Sequence, residues 1–291
     1  MMKKTEILSF VVLAVFSIGL SCNMFSNMKR SNVRYKDQIF SQVNAMKDIL
    51  YSQAFNPFSN EFEMLYMDAY WPAPDTAKKR WVLVFAHGGG YCCGDKSDTQ
   101  NINFSLDMAK RGYVVFNINY RLLNYFVDST NYVPGYVMAG ADLRAAVRYV
   151  RSIAAQRRLD PDRITVFGSS AGGGASLGAL YDQSLDSSNT SSQGFSAEPD
   201  LGGVSAAPPL PDLSVIEPGE PKIYIQHCID DTRAPFWVAQ ALTAQLSSVN
   251  IGFLTWFVQA QGTCCHTIFR CRHDETVENL SGWIYSVIGN R

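Results

Sequence analysis

The chain alternates between short, nearly continuous apolar runs and longer segments in which apolar residues recur every three or four positions. The short runs are typical of buried strands, and the longer spacing is typical of helices that pack one face on a core. The expected strands are 63–70, 81–86, 113–119, 163–168, 201–206, 222–226 and 251–258. Helices are expected around 143–154, from about 171, and over 234–248 and 274–288. This order predicts an α/β fold, a mostly parallel central sheet with helices on both faces.

Three arginines, Arg144, Arg148 and Arg151, lie opposite the apolar positions of the segment 143–154. Charged residues at this spacing usually face solvent. We therefore interpret the row as a solvated helix face and not as a binding patch.

The first apolar run has the features of a secretory signal. Lys3 and Lys4 precede an uncharged run over 7–20, which is shorter than the roughly 20 residues that a spanning helix needs. Residues 19–22, Gly-Leu-Ser-Cys, suit cleavage after residue 21 and resemble a bacterial lipobox, in which Cys22 would be the first mature residue and carry lipid. We expect a signal peptide over 1–21 and an exported protein, periplasmic or extracellular, with membrane contact only through such a lipid anchor. A plain cleaved signal and an uncleaved anchor stay open.

A polar stretch follows the predicted signal, and no low-complexity break or internal repeat divides the rest of the chain. Residues 22–60 are interpreted as an N-terminal tether and small cap segment, and residues 61–291 as one α/β domain. Of the 291 residues, 47% are hydrophobic and 18% charged, which excludes an intrinsically disordered chain. The formal charge of -1 gives no electrostatic basis for binding nucleic acid.

The sharpest chemical signal is the sequence Gly-Ser-Ser-Ala-Gly over 168–172, between an expected strand and an expected helix. G-x-S-x-G in this context is a nucleophile elbow, a strained turn that exposes a serine. The central residue is Ser170, which we predict to be the nucleophile. Ser169 occupies the preceding, variable position of the motif.

A glycine run, His87-Gly-Gly-Gly, directly follows the expected strand 81–86. An oxyanion must be stabilised by backbone N–H groups that point to one spot, and glycines let the backbone bend in that way. We predict an oxyanion hole formed by the N–H groups of Gly88, Gly89 and Ala171. His87 is expected to shape this loop by hydrogen bonding and not to act as the base.

A serine nucleophile needs a base, and the base needs an orienting carboxylate. In one common chain order the serine comes first, then the acid, then the histidine. His266 follows the expected strand 251–258 by a short loop and is the predicted base, with His273 as the alternative. Asp231, in the loop after the strand 222–226, is the predicted acid, and Asp230 is its alternative.

Together these motifs resemble the α/β-hydrolase family, specifically the carboxylesterases and the hormone-sensitive-lipase-like esterases. The resemblance covers about 60–288, and the segments that carry it are 87–91, 119–122, 160–173 and 227–231. It implies a serine esterase that acts on a small-molecule ester with Ser170, Asp231 and His266, and without a metal or organic cofactor. It also implies a structural role for Asp142. The short segment before residue 60 implies a small or absent cap, which favours short or compact acyl groups.

Other functions stay open on the same motifs. An amidase, an arylformamidase or a peptidase would use the same three side chains, and a non-catalytic binding module would use the same fold. Tyr91 and Tyr120 are candidates for the wall of a substrate pocket, although aromatic residues beside a sheet are more often core.

Six of the seven cysteines follow residue 22, and this fold would place all six at the active-site end. Disulfides are permitted in an exported protein. We predict a bond from Cys228, near the acid, to Cys264 or Cys265, near the base. The alternative is that the cysteines are reduced and act as small apolar residues.

Overall fold

A computed structural model describes residues 32–125, 131–260 and 262–289. The predicted signal peptide over 1–21 and Cys22 lie outside the described residues, so both stay predictions.

One sheet of eight strands forms the centre of the described chain. Its order is β1-β2-β4-β3-β5-β6-β7-β8, in which β1, β2 and β4 pair antiparallel and all pairs from β4 through β3 to β8 are parallel. The strands are β1 (Gln42–Asn56), β2 (Glu61–Ala73), β3 (Arg80–Ala86), β4 (Val114–Ile118), β5 (Leu159–Ser169), β6 (Leu201–Ser205), β7 (Lys222–Cys228) and β8 (Phe253–Val258). The predicted fold class is confirmed, and every strand expected from the apolar runs is present.

Helices cover both faces of this sheet. They are α1 (Thr99–Lys110), α2 (Val133–Ser152), α3 (Ala154–Arg157), α4 (Ala171–Tyr181), α5 (Trp237–Ser248), α6 (Ile268–Cys271) and α7 (His273–Ile288). Successive residues of a strand point to opposite faces, so Val82 and Val84 of β3 join the core under α2, α4 and α5, whereas Leu83 and Phe85 join the core under α1 and α7. The near-continuous apolar sequence of β3 therefore reflects burial on both sides.

The interpretation of residues 22–60 as a tether and cap segment is wrong for the described part. Residues 42–56 form β1, which pairs with β2 from one end to the other at the edge of the sheet. Tyr35 is also packed, since its ring stacks on Trp81 at 3.9 Å. Two register shifts interrupt the pairing of β1, and apolar side chains such as Leu50 lie on its exposed face, so the alternation that marks a strand is obscured in the sequence.

The interpretation of the arginine row of α2 as a solvated face is also wrong. Arg144 and Arg148 are only 2% and 3% exposed, and both form ion pairs with Asp186. Asp186 lies in a short 3-10 helix, Gln183–Ser188, which follows α4 and folds back over α2. Helical periodicity shows which residues share a face, but it does not show which later segment covers that face.

The longest fully described connection at the carboxyl ends of the strands joins β6 to β7. The segment 206–221, between β6 and β7, contains one 3-10 turn, Leu213–Val215, and no helical cap. This agrees with the predicted small or absent cap. Within the described ranges, no helix has the length and apolar character needed to cross a membrane.

Candidate active site

The turn between β5 and α4 holds Ser170 in a backbone conformation that side chains rarely adopt. Its φ and ψ are 52° and -121°, and its N–H donates to the backbone oxygen of Ser205 at the end of β6. Glycines make this turn tight: a Cβ at Gly168 would lie 2.0 Å from the oxygen of Gly172, and a Cβ at Gly172 would lie 2.0 Å from that of Ala86. Strain of this kind is typical of functional sites, and here it exposes the serine at the top of the sheet.

Three side chains predicted to act together are in hydrogen-bonding contact. The Oγ of Ser170 lies 3.2 Å from Nε2 of His266, and Nδ1 of His266 lies 2.9 Å from Oδ2 of Asp231. Each comes from a loop at the carboxyl end of a parallel strand: β5 for the serine, β7 for the acid and β8 for the histidine. A carboxylate at Nδ1 keeps the proton on that nitrogen and leaves Nε2 free to accept one from the serine.

Asp231 is buried and held as a carboxylate by its surroundings. Burial raises its pKa, but the hydrogen bond from His266 and those from the N–H groups of Ala234 and Arg233 outweigh this, so the pKa lies below its ordinary value. The two N–H groups donate to Oδ1 at 3.0 and 2.8 Å. Sequence reasoning missed these donors, although an aspartate that binds N–H groups two and three residues later is a known turn pattern. Asp230, the alternative acid, is exposed.

The other histidines are engaged elsewhere. His273, the alternative base, donates from Nε2 to Asp107 at 2.9 Å and so links α7 to α1. His227 lies 2.7 Å from the backbone oxygen of Ala234, and burial lowers its pKa.

The loop over 87–94, here called the glycine loop, lies directly beside Ser170. A Cβ added to Gly88 would be 3.4 Å from the Cβ of Ser170, and Gly89 has a φ of +131°. Ala171 is the first residue of α4, where a helical N–H has no partner within the helix. The structure thus places Gly88 and Ala171 next to the predicted nucleophile, and Gly89 follows Gly88 in the loop.

His87 shapes this loop, as its position suggested. Its Nδ1–H donates to the oxygen of Gly88 at 2.7 Å, and its ring stacks on Tyr120 with centroids 4.4 Å apart. Burial lowers the pKa of His87, which keeps the ring neutral.

Tyr91 and Tyr120 belong to the core and not to the wall of a pocket. They are 1% and 3% exposed, and neither lines either of the two cavities described below. The hydroxyl of Tyr120 donates to the backbone oxygen of His87 at 2.8 Å, and the ring of Tyr91 packs against Gly135. Tyr120 thus supports this loop through His87, and Tyr91 anchors the loop against α2.

Four of the cysteines surround the acid and the base as two disulfides. Cys228 pairs with Cys265, one of the two predicted partners, and so joins the Asp231 loop to the His266 loop. Cys264 pairs with Cys271, a bond that sequence reasoning did not anticipate. Cys92 and Cys93 are free thiols.

An apolar cavity of about 120 Å³ lies near the carboxyl ends of β6 and β7. Residues from α4, α5 and the 206–221 segment line it, and they include Leu177, Ala207 and Trp237. A larger cavity of about 240 Å³ lies at the opposite end of the sheet, beside Arg80, Val114 and Leu159 at the starts of their strands. The lining of the smaller cavity includes His227 but none of Ser170, Asp231 or His266. The described residues contain no cluster of three metal-ligating side chains.

Comparisons with known proteins place this geometry in a family. The BD-FAE family model matches residues 67–279. The chain is 35% identical to the pyrethroid hydrolase Ces2e of Rattus norvegicus and 34% identical to the para-nitrobenzyl esterase of Bacillus subtilis. Each alignment covers 40% of this chain but only 21% and 24% of those relatives, so the matched part spans about a fifth to a quarter of their length.

Solved structures agree on the fold. Thermogutta terrifontis esterase 2, in a structure of its form phosphoramylated by tabun, superimposes with a TM-score of 0.70 at 20% identity. The match covers 84% of this chain and 95% of that one. The resemblance to esterases expected from the motifs is confirmed. Because the family model spans well over half of the sequence, from β2 to α7, the chain belongs to the BD-FAE family and has the α/β-hydrolase fold.

Proposed function

We propose that the protein is a serine carboxylesterase that hydrolyses carboxylic esters through an acyl-enzyme on Ser170. The observation that carries this proposal is the continuous contact from Ser170 Oγ through His266 to the buried carboxylate of Asp231. Family membership and the esterase names of the relatives support the same reaction class.

In the first step, Ser170 Oγ attacks the ester carbonyl while Nε2 of His266 takes the hydroxyl proton. Asp231 accepts the Nδ1–H bond and stabilises the imidazolium that forms. The imidazolium then donates its proton to the departing alcohol, which leaves the acyl group on Ser170. In the second step, His266 removes a proton from water, which attacks the acyl carbonyl, and the imidazolium returns the proton to Ser170 Oγ as the acid is released.

The negative charge that develops on the carbonyl oxygen needs donors on the other side of Ser170. In this proposal the N–H groups of Gly88, Gly89 and Ala171 supply them, because Gly88 and Ala171 lie beside the serine and Gly89 follows Gly88. Losing one such donor typically costs about 3 kcal/mol of transition-state stabilisation.

Short or compact acyl groups fit this site best. The connection 206–221 contains one 3-10 turn and no longer helix that could cover a long acyl tail. Structures of Thermogutta terrifontis esterase 2 with butyrate and with propionate bound show short acids in a protein of the same fold.

The test is a panel of aryl esters of rising acyl length, assayed on the wild type, on Ser170→Ala and on the matched control Ser169→Ala. We expect activity on short acyl groups that falls with length, a loss of about a millionfold in kcat for Ser170→Ala, and a largely active control. Activity that survives in Ser170→Ala would contradict the proposal.

The same preparation separates the alternatives. A matched ester and amide pair distinguishes an esterase from an amidase or peptidase, and we expect faster turnover of the ester. A fluorophosphonate probe should label the wild type at Ser170. A binding module on this fold would remain unlabelled and would not turn over either substrate.

We also propose that the protein is exported and that Cys22 carries lipid. The disulfides beside the site support an oxidising compartment. Fractionation of cells that express the full chain tests this, with Cys22→Ala as the variant. We expect the wild type in the membrane fraction and the variant in the soluble exported fraction, whereas cytoplasmic recovery of both would contradict export.

A further inference from the structure

Two adjacent free thiols lie on the glycine loop, immediately after the proposed oxyanion donors. The sulfurs of Cys92 and Cys93 are 3.8 Å apart, and they lie 3.5 and 3.0 Å from the backbone oxygen of Gly89. The N–H groups of the same two cysteines also donate to that oxygen, at 3.2 and 3.1 Å. Four donors from one dipeptide therefore converge on a single carbonyl group.

This carbonyl belongs to a residue whose backbone conformation and packing admit only glycine. Gly89 has a φ of +131°, and a Cβ there would lie 1.9 Å from the backbone oxygen of Cys93. The Cys92–Cys93 dipeptide therefore packs so closely against Gly89 that no side chain fits between them. A change in the geometry of the dipeptide must move Gly89, and with it an N–H group of the proposed oxyanion hole.

The two thiols also differ in access. Cys93 is exposed, whereas Cys92 is partly covered, and burial raises the pKa of Cys92. An external reagent therefore reaches Cys93 first. The other described cysteines are already joined in disulfides, which leaves this pair as the free dithiol of the described chain.

We propose that Cys92 and Cys93 form a redox modification site, which low-molecular-weight or protein disulfides oxidise to a vicinal disulfide that weakens the oxyanion hole. The Cys93 thiolate attacks one sulfur of the external disulfide and releases the other half as a thiol. Cys92 then attacks the sulfur of Cys93 and releases the second half. The two cysteines lose two protons and two electrons in total, and the external disulfide becomes two thiols.

Closing this bond must deform the loop. The Cys92–Cys93 peptide bond is trans, and adjacent Cα atoms across a trans bond are about 3.8 Å apart. Disulfides usually join Cα atoms separated by about 4.4–6.8 Å, so closure of adjacent cysteines requires backbone movement. Closure also removes both S–H groups that contact the oxygen of Gly89.

The effect on turnover rests on the proposed esterase function, whereas the chemistry of closure does not. The experiment treats the purified full chain with 2-hydroxyethyl disulfide and measures three quantities. Peptide mass mapping detects the loss of two hydrogens from the segment with Cys92 and Cys93. Amide hydrogen exchange reports on residues 87–94, and ester hydrolysis gives kcat and KM. Cys93→Ser and Cys92→Ser are the matched variants, each compared with its own untreated sample.

We expect closure in the wild type, faster exchange in 87–94, and a fall in kcat of at least about tenfold with little change in KM, because one lost oxyanion donor costs roughly 100- to 1,000-fold. Mild reduction that leaves Cys228–Cys265 intact by mass should restore kcat, and neither variant should close. A stable mixed disulfide on Cys93 without closure would overturn the proposal, as would closure with unchanged kcat and exchange. If no ester is hydrolysed at all, the mass and exchange results still decide whether the site closes and moves the loop.

Discussion

The two sides of the candidate active site are held in different ways. On the side of the acid and the base, the Asp231 and His266 loops are joined by the Cys228–Cys265 bond, and a second disulfide follows at once. On the side of the glycine loop, the thiols of Cys92 and Cys93 are free, and packing and hydrogen bonds fix the chain.

The position of each side in the sheet explains this difference. The glycine loop and Ser170 follow β3 and β5, which are neighbours in the middle of the sheet and pair Ala86 with Gly168. Their hydrogen bonds already align the two loops. The histidine instead follows β8, an edge strand whose residues are all partly or fully exposed. An edge strand paired on one side is easier to displace, so a covalent bond stabilises its loop where the sheet does not.

Among the substitutions that test this comparison, the largest effect is expected from one that removes the charge of Asp231 and leaves both disulfides in place. Asp231→Asn keeps the shape of the side chain but removes the charge and favours the wrong tautomer of His266. By analogy with serine-protease triads, we expect kcat to fall about 10,000-fold. Steady-state kinetics measure this, with the exposed neighbour Asp230→Asn as control. Equal losses in the two variants would contradict the assignment of Asp231.

The second prediction removes the covalent link between the two loops. The Cys228–Cys265 bond joins residues 37 positions apart, for which the chain-entropy model gives about 4 kcal/mol. The double variant Cys228→Ser, Cys265→Ser should lose about that much free energy of unfolding, measured by urea titration.

The Cys264–Cys271 bond is the natural control because it closes a span of only 7 residues, for which the same model gives about 2 kcal/mol. Its double serine variant should therefore be less destabilised and should retain more activity. If the short bond proves the more important of the two, the cross-link between the loops is not what stabilises the acid–base side.

The third prediction concerns a substitution at Gly89 in the glycine loop. Gly89→Ala places a Cβ against the backbone oxygen of Cys93 and demands a φ that alanine rarely adopts. We expect kcat to fall roughly 100- to 1,000-fold, with KM changed far less, because the loss concerns a transition-state donor. Gly194→Ala is the control, since a Cβ there meets open space. An active Gly89→Ala variant would mean that this loop does not shape the oxyanion hole.

Sequence reasoning was strongest where a local motif sets the backbone. The residues around Ser170 and Gly88 are specified by glycines within a few positions, so the elbow and the glycine loop could be located without coordinates. Chain order requires the acid and the base to follow Ser170, and the short loop after the strand 251–258 favours His266 over His273. Asp231 was the choice over its neighbour Asp230, and the structure brings Asp231 and His266 together beside Ser170. Short apolar runs likewise located the inner strands, because burial on both faces leaves a continuous signal.

Sequence reasoning failed where the burial of a residue depends on a distant segment that packs over it. The sequence alone predicts a solvated Arg144 side chain, but the 3-10 helix that carries Asp186 covers it. The edge strand β1 lacks a clear alternation because its outer face is partly apolar, and Tyr91 is a core residue because Gly135 leaves room for its ring. Cys264 and Cys265 are adjacent, so which of them faces Cys228 depends on the local direction of the backbone. Sequence spacing alone does not resolve this.

The smallest expected effect tests whether non-covalent contacts also hold the histidine side. α7 begins just after Cys271, and His273 at its start bonds Asp107 of α1. The hydrogen bond from His273 lowers the pKa of Asp107, and a contact with Lys110 lowers it further. Burial acts in the opposite direction but is weaker, so the pKa falls from 3.8 to about 2. A depressed carboxyl pKa contributes stability that is fully present above 3.8 and is lost as the pH falls toward 2.

His273→Ala should therefore lower the free energy of unfolding by about 1 kcal/mol or less at pH 6, because both side chains are partly exposed. The difference from wild type should shrink as the pH falls through the acid range. Urea titrations at a series of pH values measure it, and subtraction of the two proteins cancels the other carboxylates. Lys110→Ala, which removes the other partner of Asp107 on the same helix, is the matched control and should have the smaller effect, since only the His273 contact joins two helices. A deficit that stays constant with pH would assign the role of His273 to packing, and the disulfides would then be the main restraint on the histidine side.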